Sequence, residues 1–252
     1  AIFHRNLRIE DNAALYNASL NQDYISIFVF DNEYWSQTDR SINQLKFALD
    51  SLTELEVKLK KFNVNLYVFE GNLKDLANYL NKSYSKLNIH INHTTETEYF
   101  SNNLRKLAED DSLNLKSYKD FGIQITEQNR DIWARDWQIH MKTKTFDVPL
   151  VNKNLNVLDL PTFSKFKTDL NQSSPHTQKG GTSSGRELLS SFLEKRCKGY
   201  SKKMSSPSEA AYACSRLSPH IAFGTLSMRN IYQDLERNIN NSKYRWDLYS
   251  FK

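Results

Sequence analysis

Ile25-Ser26-Ile27-Phe28-Val29-Phe30 runs into Asp31. Ile42, Leu45, Leu49, Leu52, Leu55 and Leu59 follow at three- and four-residue steps, and then Asn65-Leu66-Tyr67-Val68-Phe69 runs into Glu70-Gly71. These residues decide the fold. A short apolar run closed by a turn residue is the signature of a buried strand, and apolar residues at helical spacing mark an amphipathic helix. Glu54 and Lys58 stand four apart on that helix and pair along its surface. A strand, a long helix and a second strand imply parallel pairing through a right-handed crossover.

The same alternation continues in both directions. Upstream, Ala1-Ile2-Phe3 reads as the end of a strand whose beginning is missing, and Asp11 is positioned to cap a helix from Asn12 to about Ser19. Downstream, Leu73 to Leu80 predicts a helix, Leu87-Asn88-Ile89-His90-Ile91 a strand, Glu96 to Leu107 a helix, and Leu113 to Tyr118 a weaker strand. The expected first domain is therefore α/β, a doubly wound parallel five-stranded sheet over residues 1–150. Such sheets take ligands at the carboxyl ends of their strands. No GxGxxG or GxxxxGK[ST] follows any strand, so dinucleotide and P-loop readings lack support.

From Val151 to Gly185 periodicity disappears. Ser173-Ser174-Pro175 and Gly180-Gly181-Thr182-Ser183-Ser184-Gly185 are loop chemistry, so residues 151–185 read as an interdomain linker. Residues 186–252 read as helical. Leu188, Leu189, Phe192 and Leu193 mark one helix, Ser206-Pro207-Ser208-Glu209 has the form of a capping box, Ser218-Pro219 repeats a Ser cap with Pro behind it, and Ser227 caps a last helix. The chain stops within the aromatic pattern Arg245 to Lys252 with no C-cap residue, so the sequence reads as one whole domain and the truncated start of an all-α second one.

Composition sets the class. Of 252 residues 39% are hydrophobic, with 14 Phe and 13 Tyr, which is globular rather than disordered. A net charge of +5 is compatible with an anionic partner without demanding one. Cys197 and Cys214 form no CxxC pair and read as reduced thiols. With no apolar stretch of bilayer length and no signal peptide, a cytoplasmic location follows, and the sequons at Asn17, Asn81 and Asn92 are chance.

Ala213-Cys214-Ser215-Arg216-Leu217-Ser218-Pro219-His220 is the most informative segment for function. It puts two hydroxyls, a guanidinium and a helix start within a few residues. That is a plausible pyrophosphate cradle, or else an ordinary Ser-Pro cap beside a surface Arg. Lys195, Arg196, Lys198, Lys202 and Lys203 surround Tyr200 in a basic run, either a solvated helix end or a contact for nucleic-acid phosphates. His90 and His93 read as polar loop residues. Glu96, Glu98 and Tyr99 stand at a strand's carboxyl edge, where a ligand could bind.

Cys-Ser-Arg-Leu-Ser-Pro-His-Ile-Ala-Phe-Gly-Thr-Leu-Ser-Met-Arg (214–229) resembles the flavin-binding signature of the photolyase/cryptochrome family, with Cys214 in place of the usual Thr or Ser. Lys198-Gly199-Tyr200 is similar to the family's Gly-Tyr step. Phe3-His4-Arg5-Asn6-Leu7-Arg8-Ile9-Glu10-Asp11-Asn12-Ala13-Ala14-Leu15 resembles its opening, where Arg5 and Arg8 are structural. Phe121-Gly122 and Trp133-Ala134-Arg135-Asp136-Trp137 resemble the stretch leaving its antenna domain.

The resemblance implies FAD in the helical domain, held here by Tyr200, Ser215, Arg216, Leu217 and Ser218. It also implies an antenna chromophore of folate or deazaflavin type in the α/β domain, and ultraviolet-damaged DNA as partner of a monomeric protein. It further implies that the adenine and isoalloxazine contacts, the dimer pocket and the tryptophan relay lie beyond Lys252, so that no catalytic residue and no metal site is assigned here and the 252 residues alone are inactive. Trp35, Trp133, Trp137 and Trp246 are not that relay. The expected activity is that of a DNA photolyase, a carbon–carbon lyase. Alternatives are a blue-light photoreceptor of the cryptochrome kind, and a nucleotide-binding module of electron-transfer-flavoprotein type.

Overall fold

The computed structural model describes residues 1–252 except 85–86, 94–101, 104–113, 121, 123–129, 156 and 167–176. Strands β1 (Ile2–Phe3), β2 (Ser26–Phe30), β3 (Leu66–Glu70), β4 (Asn88–Asn92) and β5 (Asn114–Tyr118) form one sheet in the order β3-β2-β1-β4-β5. Every ladder is parallel, with Phe28 beside Val68 and Ile89 beside Leu115. The order reverses between β1 and β4, which makes the sheet doubly wound. The helix expected over Glu96–Leu107 lies almost wholly outside the described residues, as do Glu96, Glu98 and Tyr99.

Alternation along β2 and β3 fills two apolar layers. Phe28, Phe30, Leu66 and Val68 face α3 (Ile42–Lys60), through Phe47, Leu52, Leu55 and Leu59. Ile27, Val29 and Tyr67 face α4 (Leu73–Ser83), through Leu73, Leu76 and Leu80. Both faces are buried, which is why these strands read as apolar runs.

Asn12, not Asp11, caps the first helix (Ala13–Ser19), accepting from Leu15 N–H at 3.1 Å. Asp11 stands at φ 50° with its carboxylate engaged elsewhere. His90 is no loop residue: it is buried in β4, stacked on Tyr118 and bonded to that hydroxyl at 2.8 Å. Burial, with the positive charges nearby, pushes its pKa down to about 4. His93 follows β4 and pairs with Ser117 Oγ at 2.8 Å.

Residues 150–155 and 157–166 run along the sheet. The Asn152 side chain closes a two-way bond with the Tyr24 backbone at 3.0 and 3.1 Å. Val68 N–H donates to Pro161 O at 2.9 Å, and Thr162 bridges Tyr67 in antiparallel sense. Among the described residues no helix is long and apolar enough to cross a membrane.

The helical unit opens at Thr182, earlier than Arg186. Its helix Thr182–Ser191 passes into a π turn, Phe192–Arg196, closed by Cys197 N–H to Phe192 O at 3.0 Å. Short helices Tyr200–Lys203, Ala210–Ala213 and Ser218–Ala222 lead to Met228–Ile239 and Arg245–Phe251. Leu189, Phe192, Leu193, Leu217, Leu226, Ile231, Leu235 and Leu248 make a separate core. The box at Ser206–Glu209 does not form: those residues turn, and the helix behind them starts at Ala210 with no side-chain cap.

Candidate functional site: the Cys214–Ser218 loop and its mounting

Arg229 and Ser227 reach from the helical unit to Asp11, whose side chain is 0% exposed. Asp11 accepts from Arg229 Nε at 3.0 Å, from Arg229 Nη2, from Ser227 Oγ and from Phe146 N–H at 3.0 Å. Ser227 also caps Met228–Ile239, as its sequence position predicts.

Arg8 is 1% exposed and structural. It donates to Gly224 O at 2.9 Å and Asp11 O at 2.8 Å and pairs with Asp120. Leu7 N–H donates to Phe223 O at 3.1 Å. Phe223 enters the α/β core beside Phe47 and stacks on Trp35, with the Arg5 guanidinium 5.2 Å from its ring. Gly224 is forced by this approach: at φ 60°, a Cβ would stand 2.2 Å from Arg5 O.

On α3, Glu54 accepts from Ser183 N–H at 3.1 Å, at the first turn of Thr182–Ser191. Burial raises its pKa, but hydrogen bonds from Lys58 and Ser183 N–H, with the Lys58 charge, bring it below the ordinary carboxylate value. His220 is buried edge-on to Phe47, with Nδ1 2.8 Å from Thr225 Oγ1. Burial pushes its pKa down to about 4, against a weaker upward pull from Glu54.

The loop expected to face phosphate sits one helical turn before this docking stretch. Leu217 is buried in the helical core, where its side chain anchors the loop. It is also the N-cap residue; Ser218 is the first helical residue and makes no capping bond. The helix behind it has only five residues, so its dipole adds little, and any anion site there rests on side chains. Ser215 Oγ accepts weakly from Leu217 N–H at 3.5 Å. Arg216 is exposed, with Nη1 3.3 Å from Ala211 O, and stands at φ 61°. Few arginines take that conformation, because Cβ crowds the next carbonyl.

Tyr200 is half-buried, edge-on to Phe192 at 5.5 Å and to Phe251 at 5.7 Å. Burial, with Cys214 close by, pushes its hydroxyl pKa up. Lys195, Arg196, Lys198, Lys203, Glu209, Tyr212 and Ala213 line an adjoining hollow of about 300 Å³. Both cysteines are free. Among the described residues no cluster of His, Cys, Asp and Glu is arranged to hold a metal ion.

Sequence reasoning placed Arg196 only in a basic run. In the structure its guanidinium donates to Leu188 O at 2.7 Å, Ser215 O at 3.1 Å, Cys214 O and Ser191 Oγ at 3.0 Å. No sequence signal marks it, because a π turn has none.

The family model described as DNA photolyase matches residues 1–121. Cryptochrome-2 of Gallus gallus is 22% identical over 98% of this chain, which spans 46% of that protein's length. The archaeal photolyase of Sulfolobus tokodaii, whose structure contains two FAD molecules, superposes with TM-score 0.69 at 25% identity, covering 98% of this chain and 56% of its own. Synechocystis cryptochrome superposes with TM-score 0.75 at 20% identity, covering 99% and 58%. The chain thus spans about half the length of these relatives.

Proposed function

We propose that this chain, which belongs to the photolyase/cryptochrome family, forms the antenna-side part of a flavoprotein that repairs ultraviolet-damaged DNA with light. The observation that carries the reading is the Cys214–Ser218 loop: two serines and an arginine held in an uncommon backbone conformation within the family's flavin signature. The donor set fits a diphosphate. Hydroxyls and a guanidinium are the side chains that bind phosphate oxygens with charge assistance, and Arg216 and Ser218 are exposed to receive it.

When bound, FAD supplies the electron that reopens a pyrimidine dimer flipped out of DNA. The chain's own residues bind and orient. Ser215, Arg216 and Ser218 hold the phosphates, Leu217 anchors the loop, and Tyr200 offers an aromatic face beside it. Lys195, Lys198 and Lys203, around the hollow, are offered as contacts for the DNA backbone.

An antenna chromophore fits less well at the carboxyl end of β1. That edge is taken by Arg8, Trp35 and Phe223 of the chain itself. The electron-transfer-flavoprotein alternative has no use for the helical unit with its separate core. The decisive experiment uses the whole protein with reduced flavin, ultraviolet-damaged DNA and blue light. Loss of dimers in light but not in darkness supports repair. Persistence of dimers despite DNA binding refutes repair and leaves the cryptochrome reading, in which light drives signalling.

A further inference from the structure

Arg216 carries a strained backbone at φ 61°. Asn and Asp tolerate the left-handed region because a short polar side chain bonds nearby backbone, whereas in a longer side chain Cβ crowds the next carbonyl without that compensation close to the backbone. Such a conformation persists only where surroundings over-determine it. Here both flanking peptide planes are held. Ser215 O accepts from Arg196 Nη2 at 3.1 Å, and Arg216 O accepts from Gln178 Nε2 at 3.1 Å. The carbonyl before them, Cys214 O, accepts from Arg196 Nη1. Leu217, buried in the helical core, pins the far end.

Arg196 reaches this place because of the π turn. One extra residue in a turn rotates everything after it by about 100° relative to an α-helix, and Arg196 is the turn's last residue. Its remaining bonds, to Leu188 O and Ser191 Oγ, tie the fork to the preceding helix. The guanidinium spans helix and loop with a planar set of donors that a lysine cannot reproduce.

We propose that Arg196 is a positioning residue for phosphate binding: its fork fixes the Cys214 and Ser215 carbonyls on the N-terminal side of Arg216, so that Ser215, Arg216 and Ser218 are presented as one donor set. This rests on the flavin reading of that loop. The alternative is that Arg196 only stabilises the helical unit.

The test measures FAD dissociation constants of the whole protein by flavin fluorescence, together with the melting temperature of the flavin-free protein. Arg196→Ala weakens FAD by about ten- to hundredfold, measured well below its melting temperature. Arg196→Lys fails to restore affinity, since a point charge cannot bridge the carbonyls. Arg216→Gly adopts the left-handed conformation without strain, so adding Arg196→Ala to it costs less than Arg196→Ala costs alone. Should Arg196→Ala not fold, Gln178→Ala releases the other peptide plane and reads the same quantity. Parent-like FAD affinity in Arg196→Ala, while Arg216→Ala and Ser218→Ala lose it, overturns the proposal but leaves the flavin reading standing. Full rescue by Arg196→Lys overturns it in favour of plain charge. Unchanged affinity in all of these variants overturns both.

Discussion

Asp11→Ala tests whether the two units are locked by one buried carboxylate. Asp11 is fully buried, Arg229 is 5% exposed, and the carboxylate takes four hydrogen bonds, three of them from residues some 216 to 218 positions away. Removing one partner of a buried pair strands the other charge, which costs about 3–5 kcal/mol. Alanine at φ 50° adds about 1 kcal/mol of backbone strain, which asparagine largely avoids. Asp11→Ala therefore loses about 4–6 kcal/mol, and Asp11→Asn less. At about 2–4 °C per kcal/mol for a chain of this size, the alanine melts about 8–24 °C lower. Arg229→Leu alone strands Asp11 at similar cost. The double variant strands no charge, so its loss falls well short of the sum. Urea unfolding followed by tryptophan fluorescence reads this directly, since Trp35 stacks on Phe223 and Trp137 packs edge-on to Tyr232 across the interface. A loss below about 1 kcal/mol for Asp11→Ala, or additivity in the cycle, refutes the lock.

Gly224→Ala destabilises more than Gly199→Ala. Its Cβ meets backbone Arg5 O at 2.2 Å, whereas at Gly199 the nearest atom is the flexible Lys203 Cε at 3.3 Å; equal losses by thermal melt would count against the close approach. His220 gives an acid-sensitive component. Its folded pKa, about 4, lies below the unfolded 6.5, so the unfolded chain binds the extra proton between those values. Stability is fully present above pH 6.5 and declines as pH falls toward 4, a slope that His220→Gln flattens; unchanged slopes in urea titrations contradict this. Glu54 works in a lower window. Its folded pKa is depressed below 4.5, so its contribution is present above that pH and is lost as pH falls through the folded value; the gap between parent and Glu54→Gln closes as pH falls through that depressed value. Residues 1–166 melt higher than residues 1–150, because the shorter piece loses Asn152, Leu158 and Thr162 from the sheet; equal melting points refute that strap.

The sheet was legible because its signal is local. Ile25–Phe30, the apolar steps from Ile42 to Leu59 and Asn65–Phe69 each declare one element, and the order of elements implies the parallel topology. Signals failed where a residue answers to a distant partner. An Asp before a helix reads as a cap, yet Asp11 belongs to Arg229, and the neighbouring Asn12 caps instead. Gly185 reads as loop chemistry but lies within Thr182–Ser191, where a Cβ would come within 2.7 Å of His220 Nδ1. His90 reads as a polar residue near a strand end because its partner, Tyr118, is 28 residues away on another strand. At the candidate site the family pattern pointed to Tyr200, Ser215, Arg216, Leu217 and Ser218. It did not predict that Leu217 would act as the buried anchor, or that Arg196 would brace the loop from a π turn.

These failures share a cause that bears on function. The docking residues Phe223, Gly224, Ser227 and Arg229 and the candidate loop Cys214–Ser218 belong to one stretch of chain, joined by the single helical turn Ser218–Ala222. The docking residues occupy the carboxyl edge above β1, near the reversal point where doubly wound sheets commonly hold ligands. The α/β unit thus uses that edge as a mount for the loop. A rigid mount is what a diphosphate site made of exposed side chains needs, because its donors have no cavity wall to fix them. Loosening Asp11 or Gly224 should therefore weaken flavin binding as well as stability, although neither residue lies in the Cys214–Ser218 loop.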